Sequence, residues 1–281
     1  MLYGKLLLLF YIGFAVCHVN ADPEKCISEN ETSEKTADEA LETKAYTKIY
    51  DKKISGLKID AENKASISIK GHNENFSKIE LTGTCKNEMS LEDDILKVED
   101  KAERDNSCDY QIFPPTDTKV DISLGAVDKE VNISNINSDI SLNIGAGKIE
   151  LSNISGNVKI TSGSGQINIS NIKGDTSIRT GYGEIELTET EGDVNLTLGA
   201  GKVKYKPARS EEVRKFNIKA DVVALECILP VDTTIKSLPA AFNAEITSSV
   251  QVVDNGTHNY IFAGQIKGLA SKSYINMLYS K

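Results

Sequence analysis

The sequence predicts an all-β fold, a single-stranded β-helix or solenoid of 18-residue coils, and three observations carry this prediction. Gly-x-Gly triplets recur with this period, at Gly145/Gly147, Gly163/Gly165, Gly181/Gly183 and Gly199/Gly201. Apolar residues keep the same step in five rows, of which one is Val131, Ile149, Ile167, Ile185 and Val203. Ser-Asn and Gly-Asn/Asp pairs recur with the same period. We therefore expect a coil that stacks on itself, with right-handed winding because parallel crossovers usually have that hand.

The first 21 residues are typical of a secretory signal. Lys5 supplies a positive charge, and the apolar stretch of residues 6–16 is too short to span a membrane. Cleavage after Ala21 is the favoured prediction, which implies a secreted or periplasmic protein. A lipoprotein acylated at Cys17 is the alternative, disfavoured because Val16 is bulky where a small residue is wanted. We predict no membrane span in the mature chain.

Four cysteines remain after the predicted signal, and an even count in an exported protein favours disulfides. Cys85 and Cys108 flank a polar excursion between two strand-like runs, so we expect them to pair across a hairpin. Cys26 and Cys227 are then assigned to each other by elimination.

The remaining sequence divides by composition into four parts. Residues 22–44 form a polar spacer too poor in apolar residues to pack, and residues 45–117 alternate as a strand-rich cap or early coils. Residues 118–206 are the regular coils. Residues 207–281 are predicted to be degenerate coils and a C-terminal cap, because a solenoid needs irregular ends to cover its edges.

Each regular coil is predicted to have three straight pieces and three corners. The Gly-x-Gly triplets form the first corner, because a sharp bend needs positive φ. The second carries Asn135, Asn153 and Asn171, whose amides are expected to hydrogen-bond from one coil to the next. The third carries Gly followed by Asn or Asp. Five coils would give a rod on the order of 24 Å long.

The repeated residues suggest three kinds of chemistry: phosphate binding, calcium binding and catalysis. A phosphate-binding loop requires a helix after the glycines, whereas each triplet here precedes a strand. A calcium site is a weak candidate at Asp139, Asp175 and Asp193, whose side chains would lie near each other on successive coils. No constant acid or nucleophile set accompanies the coils, so we expect neither an enzyme nor a bound cofactor.

The net charge of −9 and the low aromatic content of 6% argue against nucleic-acid binding. The exposed positions of the coils vary freely, and we expect contacts with a protein or glycan of the cell envelope there. The predicted contact residues are Lys148, Gln166, Tyr182, Glu184 and Lys202.

The order of motifs resembles a known family. A leading strand pair (residues 57–60 and 65–71), a paired-Cys excursion, Phe113-Pro114-Pro115, the Gly-x-Gly coils and the late segment 229–235 are similar to the DUF4097 / "putative adhesin" family of β-strand repeat proteins. The resemblance covers about residues 50–275 and implies a β-solenoid without an established enzymatic activity. It supplies no functional residues.

We therefore expect an exported, non-catalytic β-solenoid that acts as a binding or adhesin-like module of the cell envelope. Two alternatives remain open. One is a structural scaffold of the envelope that assembles end to end, and the other is a polysaccharide-active β-helix enzyme.

Overall fold

The structure, a computed structural model, describes residues 44–50, 53–74, 76–83, 87–100, 107–208, 214–235, 243–247, 251–252 and 260–280. Within these residues the chain forms strands and no helix, and fifteen strands join one continuous sheet. The strands are β1 (Lys44–Tyr50), β2 (Gly56–Lys70), β3 (Ser77–Gly83), β4 (Asn87–Glu92), β5 (Ile95–Asp100), β6 (Ser107–Phe113), β7 (Lys119–Ile136), β8 (Ile140–Ile154), β9 (Val158–Lys173), β10 (Thr176–Glu191), β11 (Val194–Lys206), β12 (Arg214–Ile235), β13 (Asn243–Thr247), β14 (Gln251–Val252) and β15 (Tyr260–Ser280). The predicted signal, Cys17 and most of the polar spacer lie outside the described residues.

The predicted β-solenoid is confirmed. Strands β8 to β11 pair in parallel with the constant step of the sequence period, so that Ile149 lies beside Ile167, Ile167 beside Ile185, and Ile185 beside Val203. Alternate residues of each strand are buried, because successive side chains of a strand point to opposite faces. The apolar rows thus close one continuous core inside the stack.

The Gly-x-Gly corner depends on positive φ and on the close approach of neighbouring coils. Gly165 has φ of 139°, and a Cβ added there would lie 1.9 Å from the carbonyl oxygen of Gly147. No L side chain fits such a contact, so the glycine period is a requirement of the stacking. The first coil departs from it: β7 shows a register shift between Leu124 and Glu130, a bulge at a corner that is two residues longer than the later ones.

The predicted asparagine ladder forms the second corner. Asn135, Asn153 and Asn171 all adopt the left-handed conformation, with φ of 58°, 56° and 53°. Asn153 Nδ2 donates to Asn135 Oδ1 at 3.1 Å, and Asn171 Nδ2 donates to Asn153 Oδ1 at 2.7 Å. Glu189 occupies the same position in the next coil, with φ of 52°. Its carboxylate, when ionised, can only accept hydrogen bonds, so it cannot donate to Asn171 and continue the ladder.

We expect Glu189→Asn to stabilise the protein by about 1 kcal/mol, because Asn tolerates the left-handed conformation and would extend the ladder by one hydrogen bond. The midpoint of urea unfolding, followed by circular dichroism, measures this gain. Glu189→Gln is the control, since it removes the same charge without the conformational advantage. Equal stability of the two variants would contradict the prediction.

An insertion in the sequence separates β2 from β7, the strand on which β2 stacks. β2 pairs in parallel with β7, with Leu57 beside Val120, a step several times longer than that of the regular coils. Strands β5 and β6 lie between β2 and β7 in sequence, but they pair with the edge of β2 that faces away from β7. The coil that follows β2 in sequence therefore lies on the far side of β2 from the regular coils. In the loop after β2, His72 Nδ1 accepts the Glu74 N–H at 3.0 Å and its Nε2 donates to the Phe113 carbonyl at 2.9 Å.

Antiparallel strands lie beyond both end coils. β3 pairs with β6 and β1 with β3 at the N-terminal end, while β15 runs antiparallel to β12 at the other. β12 still stacks on β11, with Phe216 beside Val194, a slightly longer step than that of the regular coils. The irregular cap after the last regular coil therefore contains one more stacked coil. In this described part no helix has the length and hydropathy needed to cross a membrane.

The described core is mostly aliphatic, with Tyr110 near its N-terminal end, Tyr205 and Phe216 near its C-terminal end, and a few buried hydroxyls. Tyr205 and Phe216 are fully buried and stack with ring centroids 4.0 Å apart and planes within 2°. Thr176 is also fully buried, between Val158 and Val194 of the neighbouring coils, and its hydroxyl has no hydrogen-bond partner among the residues that the structure describes.

We expect Thr176→Val to stabilise the protein by about 1–2 kcal/mol, since it removes an unsatisfied buried hydroxyl while keeping the shape of the side chain. Thr180→Val is the matched control. Thr180 is equally buried within the same coil, but its hydroxyl donates to the Tyr182 carbonyl at 3.3 Å. The melting temperature measured by calorimetry should rise for Thr176→Val and should fall or stay the same for Thr180→Val. A lower melting temperature for Thr176→Val would contradict the expectation.

The predicted Cys26–Cys227 disulfide is wrong. Cys227 is a free thiol buried in the core, and burial raises its pKa. Pairing by elimination failed because Cys227 occupies the inward row of Tyr205, where it packs as a small apolar residue. Cys26 and Cys85 lie outside the described residues. The Cys85–Cys108 bond stays a prediction, supported by the pairing of Gly83 with Cys108 across β3 and β6.

Candidate functional site

Two outward faces of the coils meet at the Gly-x-Gly corner. The paired face lies after the corner and has two rows of side chains: Glu130, Lys148, Gln166, Glu184 and Lys202, and Asn132, Glu150, Asn168, Glu186 and Lys204. The cationic strip lies before the corner and also has two rows: Ser141, Lys159, Ser177, Asn195 and Asn217, and Asn143, Thr161, Arg179, Thr197 and Lys219. The glycine ridge between them carries the middle residues of the triplets.

On the paired face the charges neutralise each other from coil to coil. Lys148 Nζ lies 3.2 Å from Glu130 and 2.7 Å from Glu150, and Lys202 Nζ lies 3.0 Å from Glu184. Lys204 and Glu186 form a further pair at 2.9 Å. These hydrogen bonds raise the pKa of Lys148, through Glu150 first and Glu130 second, and lower the pKa of Glu150.

Four of the predicted contact residues therefore lie in one row, and all four are engaged with one another or with neighbouring side chains. Lys148, Glu184 and Lys202 belong to ion pairs, while Gln166 Nε2 lies 3.4 Å from Asn168 Oδ1. A ligand would have to compete with these contacts. A shallow groove of ≈ 320 Å³ on this face, lined in part by Glu150, Asn168 and Glu186, is open and polar.

Tyr182, the fifth predicted contact residue, stands apart on the glycine ridge. Its side chain is 67% exposed, because the flanking glycines offer nothing to cover it. The same row contains Ala146, Ser164 and Ala200, and it continues to Val222 on β12, which is 49% exposed. The glycine ridge therefore carries small side chains, apart from Val222 and the projecting aromatic ring of Tyr182.

Sequence reasoning missed the cationic strip. Its ten positions hold three cations, Lys159, Arg179 and Lys219, together with seven Ser, Thr or Asn residues and no acid. None of the three cations forms an ion pair with a described residue. The signal was present in the sequence, since the positions one coil away from each cation are uncharged, whereas Lys148, Lys202 and Lys204 each follow a Glu by one coil.

Acidic groups border the strip on its outer sides. The third-corner row of Asp139, Asn157, Asp175 and Asp193 runs along one long edge. Asp121 lies beside Ser141 at the first coil, and Asp221 follows Lys219 by two residues on the last one. The strip is thus narrow, two side chains wide and five coils long.

The third-corner row explains the acidic residues that suggested calcium. Asp139 Oδ1 accepts the backbone N–H of Asn157 at 2.8 Å, and Asp175 Oδ1 accepts that of Asp193 at 2.9 Å. Asp193 Oδ1 in turn accepts the backbone N–H of Lys215 at 2.9 Å. These bonds give the residues a role in joining coils, and the described residues contain no group of three His, Cys, Asp or Glu side chains able to hold a metal ion.

Comparisons with known proteins give similar structures but no matching sequence. No protein-family model and no curated protein matches the chain, so membership of the DUF4097 family stays a prediction. A "putative cell adhesion protein" from Clostridium sporogenes is 14% identical, with a TM-score of 0.37 over 59% of this chain and 100% of its own. A "putative adhesin" from Bacteroides fragilis is 17% identical, with a TM-score of 0.36 over 63% and 94% of the two chains.

Proposed function

We propose that this protein is a non-catalytic binding module that recognises its partner through the outer surface of its stacked coils. The observation that carries the proposal is the contrast between the two long faces. Cations on the paired face are matched by acids one coil away, whereas no described residue forms an ion pair with Lys159, Arg179 or Lys219 on the cationic strip. A ligand can bind such exposed charges without first breaking an ion pair within the protein.

The stacked backbone suits this role because it holds side chains at fixed intervals. Successive coils are spaced by roughly 4.8 Å, and each strand from β7 to β12 pairs with a neighbouring strand on both sides. Groups on such a surface lose little conformational freedom when they bind, which favours recognition of an extended partner. Export to the cell envelope is part of the proposal and rests on the signal-like residues 1–21.

The enzyme alternative has weaker support. Polysaccharide cleavage uses two carboxyl groups that face one bond of the substrate. The acids nearest a groove, Glu150 and Glu186, are bound to Lys148 and Lys204. The scaffold alternative requires end coils that can continue into another molecule, and antiparallel strands pair with the outer coils at both ends.

A capture experiment tests the proposal. The purified protein, immobilised through a tag, is exposed to envelope and host-surface extracts, and retained proteins and glycans are identified. We expect a specific macromolecule to be retained. Lys159→Gln/Arg179→Gln should weaken its capture, while Lys148→Gln/Lys202→Gln should leave capture nearly unchanged. Retention of nothing above a denatured control would overturn the binding role, and release of cleaved oligosaccharides would overturn its non-catalytic character.

A further inference from the structure

We propose that the cationic strip binds a linear anionic polysaccharide, one that carries carboxylate or sulfate groups. This inference rests on the proposed binding function and adds the chemical class of the ligand and the face that recognises it. Three features of the strip support it: the positions of its cations, the neutral side chains between them, and its acidic borders.

The cations follow the direction of the solenoid axis. Lys159 lies one coil and two residues from Arg179, and Lys219 lies two coils beyond Arg179 in the same row. With roughly 4.8 Å between coils and 3.3 Å per residue, the Cα atoms are about 8 and 10 Å apart. Positive groups at such intervals along a line match a polymer with regularly spaced anionic groups. The planar guanidinium of Arg179 can bind one carboxylate or sulfate through two hydrogen bonds.

The positions between the cations carry groups that bind sugar hydroxyls. Ser177 and Thr161 present hydroxyls, and Asn143 and Asn195 present amides, all outward on the strip. Asn217 Nδ2 donates to Asn195 Oδ1 at 2.8 Å, which fixes the orientation of that amide. Hydroxyls and amides both donate and accept hydrogen bonds, so they can bind the alternating donors and acceptors of a pyranose chain.

Tyr182 adds an apolar surface at the edge of the strip. It follows Arg179 by three residues on the same coil and is 67% exposed. An aromatic ring without cover can pack against the C–H face of a sugar while its hydroxyl stays in water. The strip and Tyr182 would then contact the same polymer with charge, hydrogen bonds and apolar area.

The acidic residues that border the cationic strip favour a linear glycan over other anionic partners. A flat anionic membrane would also meet Asp175, Asp193 and Asp221 beside the strip, and these charges would repel it. A protein partner would require an apolar centre, and the ten strip positions contain no apolar residue. The net charge of −9 opposes long-range attraction of any polyanion. Binding must therefore arise from direct contacts, which are short-ranged in physiological salt.

A matched pair of triple variants tests the inference. Lys159→Gln/Arg179→Gln/Lys219→Gln removes three charges from the cationic strip, and Lys148→Gln/Lys202→Gln/Lys204→Gln removes three from the paired face. Both variants have a net charge of −12, from −9 less three. Binding is measured by interferometry to a polyuronate, a sulfated polysaccharide, neutral dextran and phosphatidylserine vesicles, at low and high salt. Thermal melting checks that each variant is folded.

We expect the unaltered protein to bind at least one of the two acidic polysaccharides and not dextran or vesicles. The strip variant should lose about tenfold or more in affinity, and the paired-face variant less than about threefold. Equal losses in the two variants would overturn the assignment to the strip. Binding to dextran or vesicles, or capture of a protein alone from the extracts, would overturn the polysaccharide while leaving the binding function intact. Failure to bind any probe or any extract component would overturn both.

Discussion

Gly165→Ala is expected to cost about 3–5 kcal/mol of unfolding free energy, from backbone strain together with a forced shift of the stacked coils. The new Cβ would lie 1.9 Å from the carbonyl oxygen of Gly147, which is backbone and cannot rotate away. The φ of 139° at this position adds strain for any L residue. The midpoint of urea unfolding measures the effect, and loss of soluble protein would be its extreme form.

Ser164→Ala is the control for this substitution. Ser164 is the middle residue of the same triplet, its side chain points outward, and its neighbours in the row are Ala146 and Tyr182. Its unfolding free energy should change by less than about 0.5 kcal/mol. If Gly165→Ala were as stable as this control, the close stacking of the coils at the first corner would be wrong.

Phe216→Ala is expected to cost about 3–5 kcal/mol, the range typical of truncating a fully buried aromatic residue. Phe216 is fully buried and stacks on Tyr205 at 4.0 Å between ring centroids, so its loss leaves a cavity between the last regular coil and β12. Because the chain has no Trp, far-ultraviolet circular dichroism and tyrosine fluorescence are the suitable probes of unfolding.

Phe216→Leu tests whether the loss depends on volume. It keeps an apolar side chain at the site and should cost no more than about 2 kcal/mol. A small effect of the alanine variant would mean that β12 is not packed on the core as described. An equally large effect of the leucine variant would show that the stacked ring geometry, and not the filled volume, stabilises this end of the solenoid.

The regular coils were predictable because the requirements of stacking repeat in the sequence. Ile149, Ile167 and Ile185 occupy the same inward position of successive coils, so their spacing gives the period directly. Asn153 and Asn171 were predictable for a second reason: each satisfies both the left-handed corner and the amide ladder. Local and long-range requirements agree at these positions.

The insertion after β2 was not predictable, because register between distant segments leaves no periodic signal. Nothing in the local pattern of Leu57 reveals that its neighbours are Val120 on one side and Leu96 on the other. The antiparallel pairing of β15 with β12 was missed for the same reason. Alternating apolar residues indicate a strand but do not specify the direction of its partner.

The candidate site was predicted in part. The exposed row of Lys148 was found, but its ion pairs were overlooked because the row was judged by the variety of its residues and not by the signs of the charges one coil apart. The spacing of one full period between Glu184 and Lys202 would have shown that they face each other. Lys159, Arg179 and Lys219 were missed because they are scattered in sequence and converge only through the stacking.

The separation between β2 and β7 has a consequence for how the chain folds. Closing the long loop between Leu57 and Val120 costs about 1 kcal/mol more in chain entropy than closing a loop of one regular coil. The coils from β7 to β11 need only nearest neighbours in sequence, so they can form first, and β2 then docks on their open edge. During synthesis β2 leaves the ribosome well before its partner exists. At this end of the solenoid, strands from the middle of the chain would therefore fold before the strand nearer its N-terminus.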